Sequence, residues 1–128
     1  MQYVMTDNSR KNPGHYSPGI IHNGLLYVSG QLSVDPDNGR RVEGGIVAET
    51  RQALRNMERV LKAAGVSRQD VLLCRVYTPD VALWDTINKE YALFFGEHRP
   101  ARVVVPTSML HHGCLVEIEA VAAMPEKE

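Results

Sequence analysis

The chain has no apolar run near the roughly 20 residues that a membrane span needs, so no membrane partner is expected. It has no excess of either charge. The formal net charge is −1 over 128 residues, which argues against a nucleic-acid partner drawn in by bulk electrostatics. The opening residues MQYVMTDNSRKN carry no signal-peptide apolar core, so a cytoplasmic protein is expected. Cysteine is scarce. Cys74 and Cys114 both lie in apolar, strand-like runs and read as small buried thiols rather than a disulfide framework. GHYSPG and DNGRRVEGG match neither phosphate-binding fingerprint. No histidine can be placed near Ser29 to complete a Ser-His-Asp set. His111 and His112 lack further ligands at suitable spacing, so no metal site is expected. There are no repeats, linkers or low-complexity segments, and residues 1–128 read as a single domain.

What is present is ordinary soluble composition, 44% hydrophobic and 23% charged, with clear periodicities. Tyr3 to Thr6 reads as a short strand, and Asp7 to Gly19 as a loop. Ile20 to His22 and Leu25 to Gln31 flank Asn23-Gly24, a hairpin signal because both residues tolerate positive φ. Ser33 to Gly45 is a second loop. Ile46 to Ala64 predicts a helix, with Ala53, Leu54, Met57, Val60 and Leu61 on one face and Arg51, Gln52, Arg55, Glu58, Arg59 and Lys62 on the other. Gly65 ends it. Val71 to Thr78 is a strand that is apolar at both parities except at Arg75, so both its faces should be covered. Asp80 can cap a second helix, Val81 to Phe95, striped by Trp84, Ile87, Tyr91, Phe94 and Phe95, with Asn88 at the stripe's edge. Pro125 to Glu128 is expected to fray.

The stretch Pro100 to Ala120 reads as two strands joined by a polar loop. Arg102 stands among valines; Glu117 and Glu119 alternate with Val116, Ile118 and Ala120. Unpaired charge inside apolar strands is costly, so these residues need partners or a ligand. Arg102 can bind a planar carboxylate bidentately. The residues alone favour the plainer reading, a structural ion pair with Glu117 or Glu119. Glu117 can also serve as an acid–base group, whereas a paired or solvated role is preferred for Glu119. Tyr16 reads as a pocket wall or a loop anchor. Ser29 stands beside Gly30, whose backbone N–H is accessible. Strands joined through helices should run parallel, giving one mixed sheet with two helices on one face, an α+β arrangement. The other face stays apolar, so self-association is expected.

The segments Gly14 to Gly19, Leu26 to Gln31, Thr50 to Leu54, Asn88 to Phe95, Pro100-Ala101-Arg102 and Val116 to Ala120 together resemble the YjgF/Rid family of enamine/imine deaminases, over nearly the whole length. The resemblance implies a chorismate-mutase-like subunit and a homotrimer whose sheets line a central β-barrel, with sites between subunits. It implies a small anionic substrate, 2-aminoacrylate or 2-iminobutyrate, hydrolysed to a 2-keto acid and ammonia without a cofactor. It gives Arg102 the substrate carboxylate and Glu117 the water, with Tyr16, Ser29, Gly30 and Asn88 lining or supporting the pocket. Alternatives are a deaminase of a larger enamine acid, and a non-catalytic trimer that binds 2-keto acids. The older endoribonuclease label fits poorly with the absence of a basic stripe. Three departures stand out: His15 for proline, Val104 for a cysteine found in some relatives, and His111-His112-Gly113 after Leu110 in place of proline. Val104 leaves no thiol at that position to modulate the site.

Overall fold

The computed structural model describes residues 1–7 and 13–125. Part of the expected Asp7–Gly19 loop (8–12) and most of the expected frayed tail (126–128) lie outside the described residues. Six strands form one sheet: β1 (Gln2–Val4), β2 (Gly19–His22), β3 (Leu25–Leu32), β4 (Val71–Thr78), β5 (Ala101–Pro106) and β6 (Glu117–Ala123). Two helices, α1 (Gly45–Ala64) and α2 (Trp84–Phe95), complete the fold. The first strand lies slightly earlier than the Tyr3–Thr6 expected. The second helix is reached through a single 3-10 turn, Val81–Leu83, capped by Asp80, whose carboxylate accepts from the Ala82 N–H at 2.9 Å.

The sheet order is β1-β2-β3-β6-β4-β5. β4 and β5, joined through α2, pair in parallel; β3 and β4, joined through α1, are both antiparallel to β6 and so run the same way. The β2–β3 hairpin turns at Asn23 and Gly24, with φ of 51° and 76°, the left-handed pair that a two-residue turn requires.

Alternation along the strands divides the sheet into two faces. Leu26 and Val28, Cys74 and Val76, and Ile118, Ala120 and Ala122 pack with Ala53, Leu54, Met57, Val60 and Leu61 of α1 and Ile87, Tyr91 and Phe95 of α2. Each fully buried leucine in this layer contributes about 1.5–3 kcal/mol. Both cysteines are buried and free. On the helix-free face, the register aligns Tyr3, Ile20, Tyr27, Val121 and Leu73 in one row across the strands. Tyr3, Tyr27 and Val103 on this face are exposed. The same face turns polar toward the other end of the strands, where Arg75 is opposite Glu119 and Tyr77 is opposite Glu117.

α1 also buries three polar residues, Glu49, Thr50 and Asn56. Asn56 donates from Nδ2 to the carbonyls of Leu32 and Val34, at 2.9 and 2.8 Å. Glu49, 0% exposed, ties three segments together. Its carboxylate accepts from Ser33 Oγ (2.7 Å), from the Leu115 N–H (2.9 Å) and from Arg41 through Nε (3.1 Å) and Nη2 (2.9 Å). A buried carboxylate with four donors is satisfied, and it holds the end of β3, the following loop and the lead-in to β6 together.

Candidate active site

Arg102 and Glu117 do not meet within the subunit. Arg102 pairs with Cys74 on β4, and Cys74 with Ala120 on β6, so all three point to the helix side. Glu117, three positions from Ala120, points to the helix-free side. The ion pair favoured from the residues alone is therefore not formed, with either Glu117 or Glu119. Strand parity explains the difference: separation along the chain does not show which face each side chain takes.

Arg102 is instead held by α2. Trp84, Asn88 and Tyr91 stand four and three residues apart, and so share one helix face. Asn88 Oδ1 accepts from Arg102 Nη1 at 2.9 Å. The guanidinium carbon lies 4.8 Å from the Tyr91 ring centre and 5.4 Å from that of Trp84, both within cation–π range. No carboxylate pairs with Arg102 among the described residues. Nη1 is held by Asn88, and the Nε–Nη2 edge, which makes no hydrogen bond among the described residues, can take a planar bidentate acceptor. Beneath it, burial pushes the Cys74 thiol up to about 11. Burial likewise raises the Tyr91 hydroxyl, which lies near that thiol without reaching hydrogen-bond geometry. Neither group will ionise near neutrality and compete for the arginine.

The second group of residues lies in a cleft of about 1180 Å³ bordered by Tyr16, Ser29, Gly30, Glu117, Glu119 and the turn His111–Gly113. A β-bulge shapes it. Val28 pairs with Ala120 and Gln31 with Ile118, so Ser29 and Gly30 together face only Glu119. Ser29 Oγ donates to the Ser17 carbonyl at 2.6 Å, and its N–H donates to the Pro18 carbonyl at 2.9 Å. The serine thus fastens the Tyr16 loop to β3, a supporting role. Gly30 allows a close approach: a Cβ there would stand 2.9 Å from Glu117 Oε2.

The two carboxylates of β6 differ. Glu119 accepts from the Tyr77 hydroxyl at 2.5 Å and lies 3.7 Å from Arg75, the paired role expected of it. Glu117 accepts no side-chain or loop hydrogen bond from the described residues at its carboxylate. Burial, with Glu119 adding to it, holds Glu117 above the usual carboxylate range, and the His111 charge offsets part of the rise. Such a carboxylate can accept a proton from water and return it.

The structure thus brings together Arg102 with Asn88, and separately Tyr16, Ser29, Gly30 and Glu117. The aromatic seat of Arg102 was not evident from sequence, where Trp84 and Tyr91 read as core stripe. Their i, i+7 spacing around Asn88 was the available signal. Glu49 was missed as well. It stands four residues before Ala53, on the apolar face by the same period that defines the helix.

The family model described as endoribonuclease L-PSP matches residues 6–124. A RutC family protein of Pyrococcus horikoshii is 41% identical over 94% of this chain and 96% of its own length. The human 2-iminobutanoate/2-iminopropanoate deaminase is 38% identical, over 85% of this chain and 80% of its own. Among solved structures, the YjgF gene product of E. coli superposes with a TM-score of 0.89 at 31% identity, covering 98% of this chain and all of that one (100%). E. coli TdcF with bound serine superposes with a TM-score of 0.90 at 29% identity, covering 98% and 100%. With the family model matching residues 6–124 and this similarity along nearly its full length, the chain belongs to the YjgF/Rid family, also called endoribonuclease L-PSP.

Proposed function

We propose that the protein hydrolyses small reactive 2-imino acids, the tautomers of 2-aminoacrylate and its homologue, to 2-keto acids and ammonia. We place the site between subunits of a homotrimer. The observation that carries this reading is Arg102, which no carboxylate pairs among the described residues. It is preorganised by Asn88 and two rings near the sheet edge, yet it stands on the face opposite the uncommitted Glu117. Each half is incomplete, and a second copy placed against the exposed sheet face joins them. The row from Tyr3 to Leu73 and the open edge β5 supply an apolar surface for that contact. The human relative's name and the serine bound to TdcF both point to amino-acid-like ligands.

In this arrangement the Nε–Nη2 edge of Arg102 from one subunit binds the substrate carboxylate and fixes the imine carbon. Glu117 of the neighbouring subunit accepts a proton from water as its oxygen adds to that carbon. Glu117 returns that proton to nitrogen, giving the neutral carbinolamine; it then carries the carbinolamine hydroxyl proton to nitrogen, the C–N bond breaks as the C=O bond forms, and ammonia leaves. The imine is already electrophilic, so orientation and one acid–base group suffice.

The test generates 2-aminoacrylate from serine with a dehydratase and follows keto-acid release with and without this protein. Release should accelerate with wild type and not with Arg102→Ala. A wild-type rate equal to buffer would overturn the proposal. Keto-acid binding at Arg102 without turnover would favour a carboxylate-binding regulator instead.

A further inference from the structure

Resting on the imine-deaminase reading above, we infer that the His111–His112 turn makes the cleft selective for 2-imino acids that carry a second carboxylate. Both imidazoles border the same cleft as Ser29, Gly30 and Glu117. Their ring centres are 3.9 Å apart, so they present a single wall. The turn that carries them is closed by its own hydrogen bonds and anchored on its C-terminal side. The Gly113 N–H donates to the Leu110 carbonyl at 3.0 Å, and Cys114 is buried. The next residue, Leu115, donates its N–H to the buried Glu49. His112 is held at φ 61°, a left-handed conformation uncommon outside glycine, which surrounding contacts must stabilise.

Neither imidazole donates to an acceptor among the described residues, so their N–H groups stay available to a ligand. The substrate's own carboxylate is assigned to Arg102, which leaves the histidines for a second acceptor further along the molecule. The charge pattern makes a carboxylate the fitting acceptor. Glu117 and Glu119 line the cleft and would repel a dianionic substrate. Glu119 is already paired with Tyr77 and Arg75. His111 is the neighbouring group whose electrostatic effect on Glu117 opposes that of Glu119, so it stands where it can offset that repulsion. A mono-acid gains nothing from the pair. A dicarboxylic imine gains charge-assisted hydrogen bonds from it.

The test uses two keto acids of equal chain length, oxaloacetate and 2-oxobutanoate, which differ by a terminal carboxylate in place of a methyl. The single tryptophan, Trp84, lies against Arg102 and reports occupancy by its fluorescence. The corresponding imines, made by oxidising aspartate and 2-aminobutyrate, report turnover. Wild type should favour the dicarboxylate by about tenfold in affinity and in kcat/KM, the scale of one charge-assisted hydrogen bond. In the double variant His111→Ala, His112→Gly, the second change keeping the left-handed backbone free of strain, the ratio should fall to about one. Circular dichroism and the melting temperature check that this variant folds. No preference in wild type, or a preference kept by the folded variant, would overturn the inference. Preferential dicarboxylate binding without acceleration of either imine would keep the histidine turn's preference for a second carboxylate and remove the deaminase reading, and with it the imine as substrate. Binding of neither keto acid would remove both.

Discussion

Glu49 and Glu117 are both carboxylates withdrawn from water, and they have opposite surroundings. Glu49 is fully buried and accepts four hydrogen bonds from three segments of the chain. Glu117 is half-buried, accepts none at its carboxylate from the described residues and sits beside a second carboxylate. Burial alone therefore does not distinguish these two acids; the number of donors does. A satisfied carboxylate holds its charge and its neighbours in place. An unsatisfied one keeps lone pairs for water and is easier to protonate. The two are linked, since Glu49 holds Leu115, two residues before Glu117.

The sharpest way to break this contrast is to neutralise Glu117. Glu117→Gln should reduce kcat by about 10²–10⁴-fold, the usual worth of an acid–base group, with no loss of melting temperature. A large drop in stability would mean that Glu117 is structural like Glu49. The inter-subunit assignment permits a companion measurement. Glu117→Gln and Arg102→Ala, each inactive alone, should recover about a quarter of wild-type activity when unfolded and refolded together, because a quarter of randomly formed interfaces carry both intact groups. No recovery would place both groups of a site in one subunit.

Glu49→Ala should act the other way, costing about 3 kcal/mol in urea unfolding by stranding Ser33, Arg41 and the Leu115 N–H. Glu49→Gln, which keeps an acceptor for Ser33 and Leu115, should cost less. A smaller change tests how closely Glu117 must be held. Gly30→Ala pushes a Cβ to within 2.9 Å of Glu117 Oε2, the movable end of that side chain. Activity should fall about tenfold while stability changes by less than about 1 kcal/mol. The smallest effect is on the pH dependence of folding. Because the folded state raises the Glu117 pKa, its protonated form is favoured on folding. The stabilisation it gives appears as pH falls through the folded value and is lost as pH rises above it. Wild type minus Glu117→Gln, compared across that window, should show this sign.

Much of the scaffold could be read from the residues. Asn23-Gly24 marked the hairpin, the spacing of Ala53, Leu54, Met57 and Val60 marked α1, and Val71–Thr78 marked a strand, although its helix-free face, expected to be covered, is open within the subunit at Leu72 and Arg75. What could not be read was set by contacts between distant segments. Nothing local to residues 117–123 shows that this strand inserts between β3 and β4. Without that order, Arg102 and Glu117 cannot be assigned to faces, and two charged residues in neighbouring strands look like a pair. The family resemblance named the candidate site residues and implied sites between subunits, whereas the residues alone did not show that Arg102 and Glu117 take opposite faces of the sheet. The bulge at Ser29-Gly30 was hidden for a related reason: it is defined by what lies across from it.

The position of β6 also has a consequence for how the molecule is made. The two strands it joins, β3 and β4, precede it by many residues, and neither bonds to the other. Until residues 117–123 leave the ribosome, the strand that bridges β1-β2-β3 to β4-β5 in the sheet order is missing. Closing that gap is a long-range step, slow by its loop length and exposed to mispairing while it waits. The strand that closes it carries Glu117, so the proposed catalytic acid arrives in the same event that completes the sheet, and a nascent chain short of it has neither.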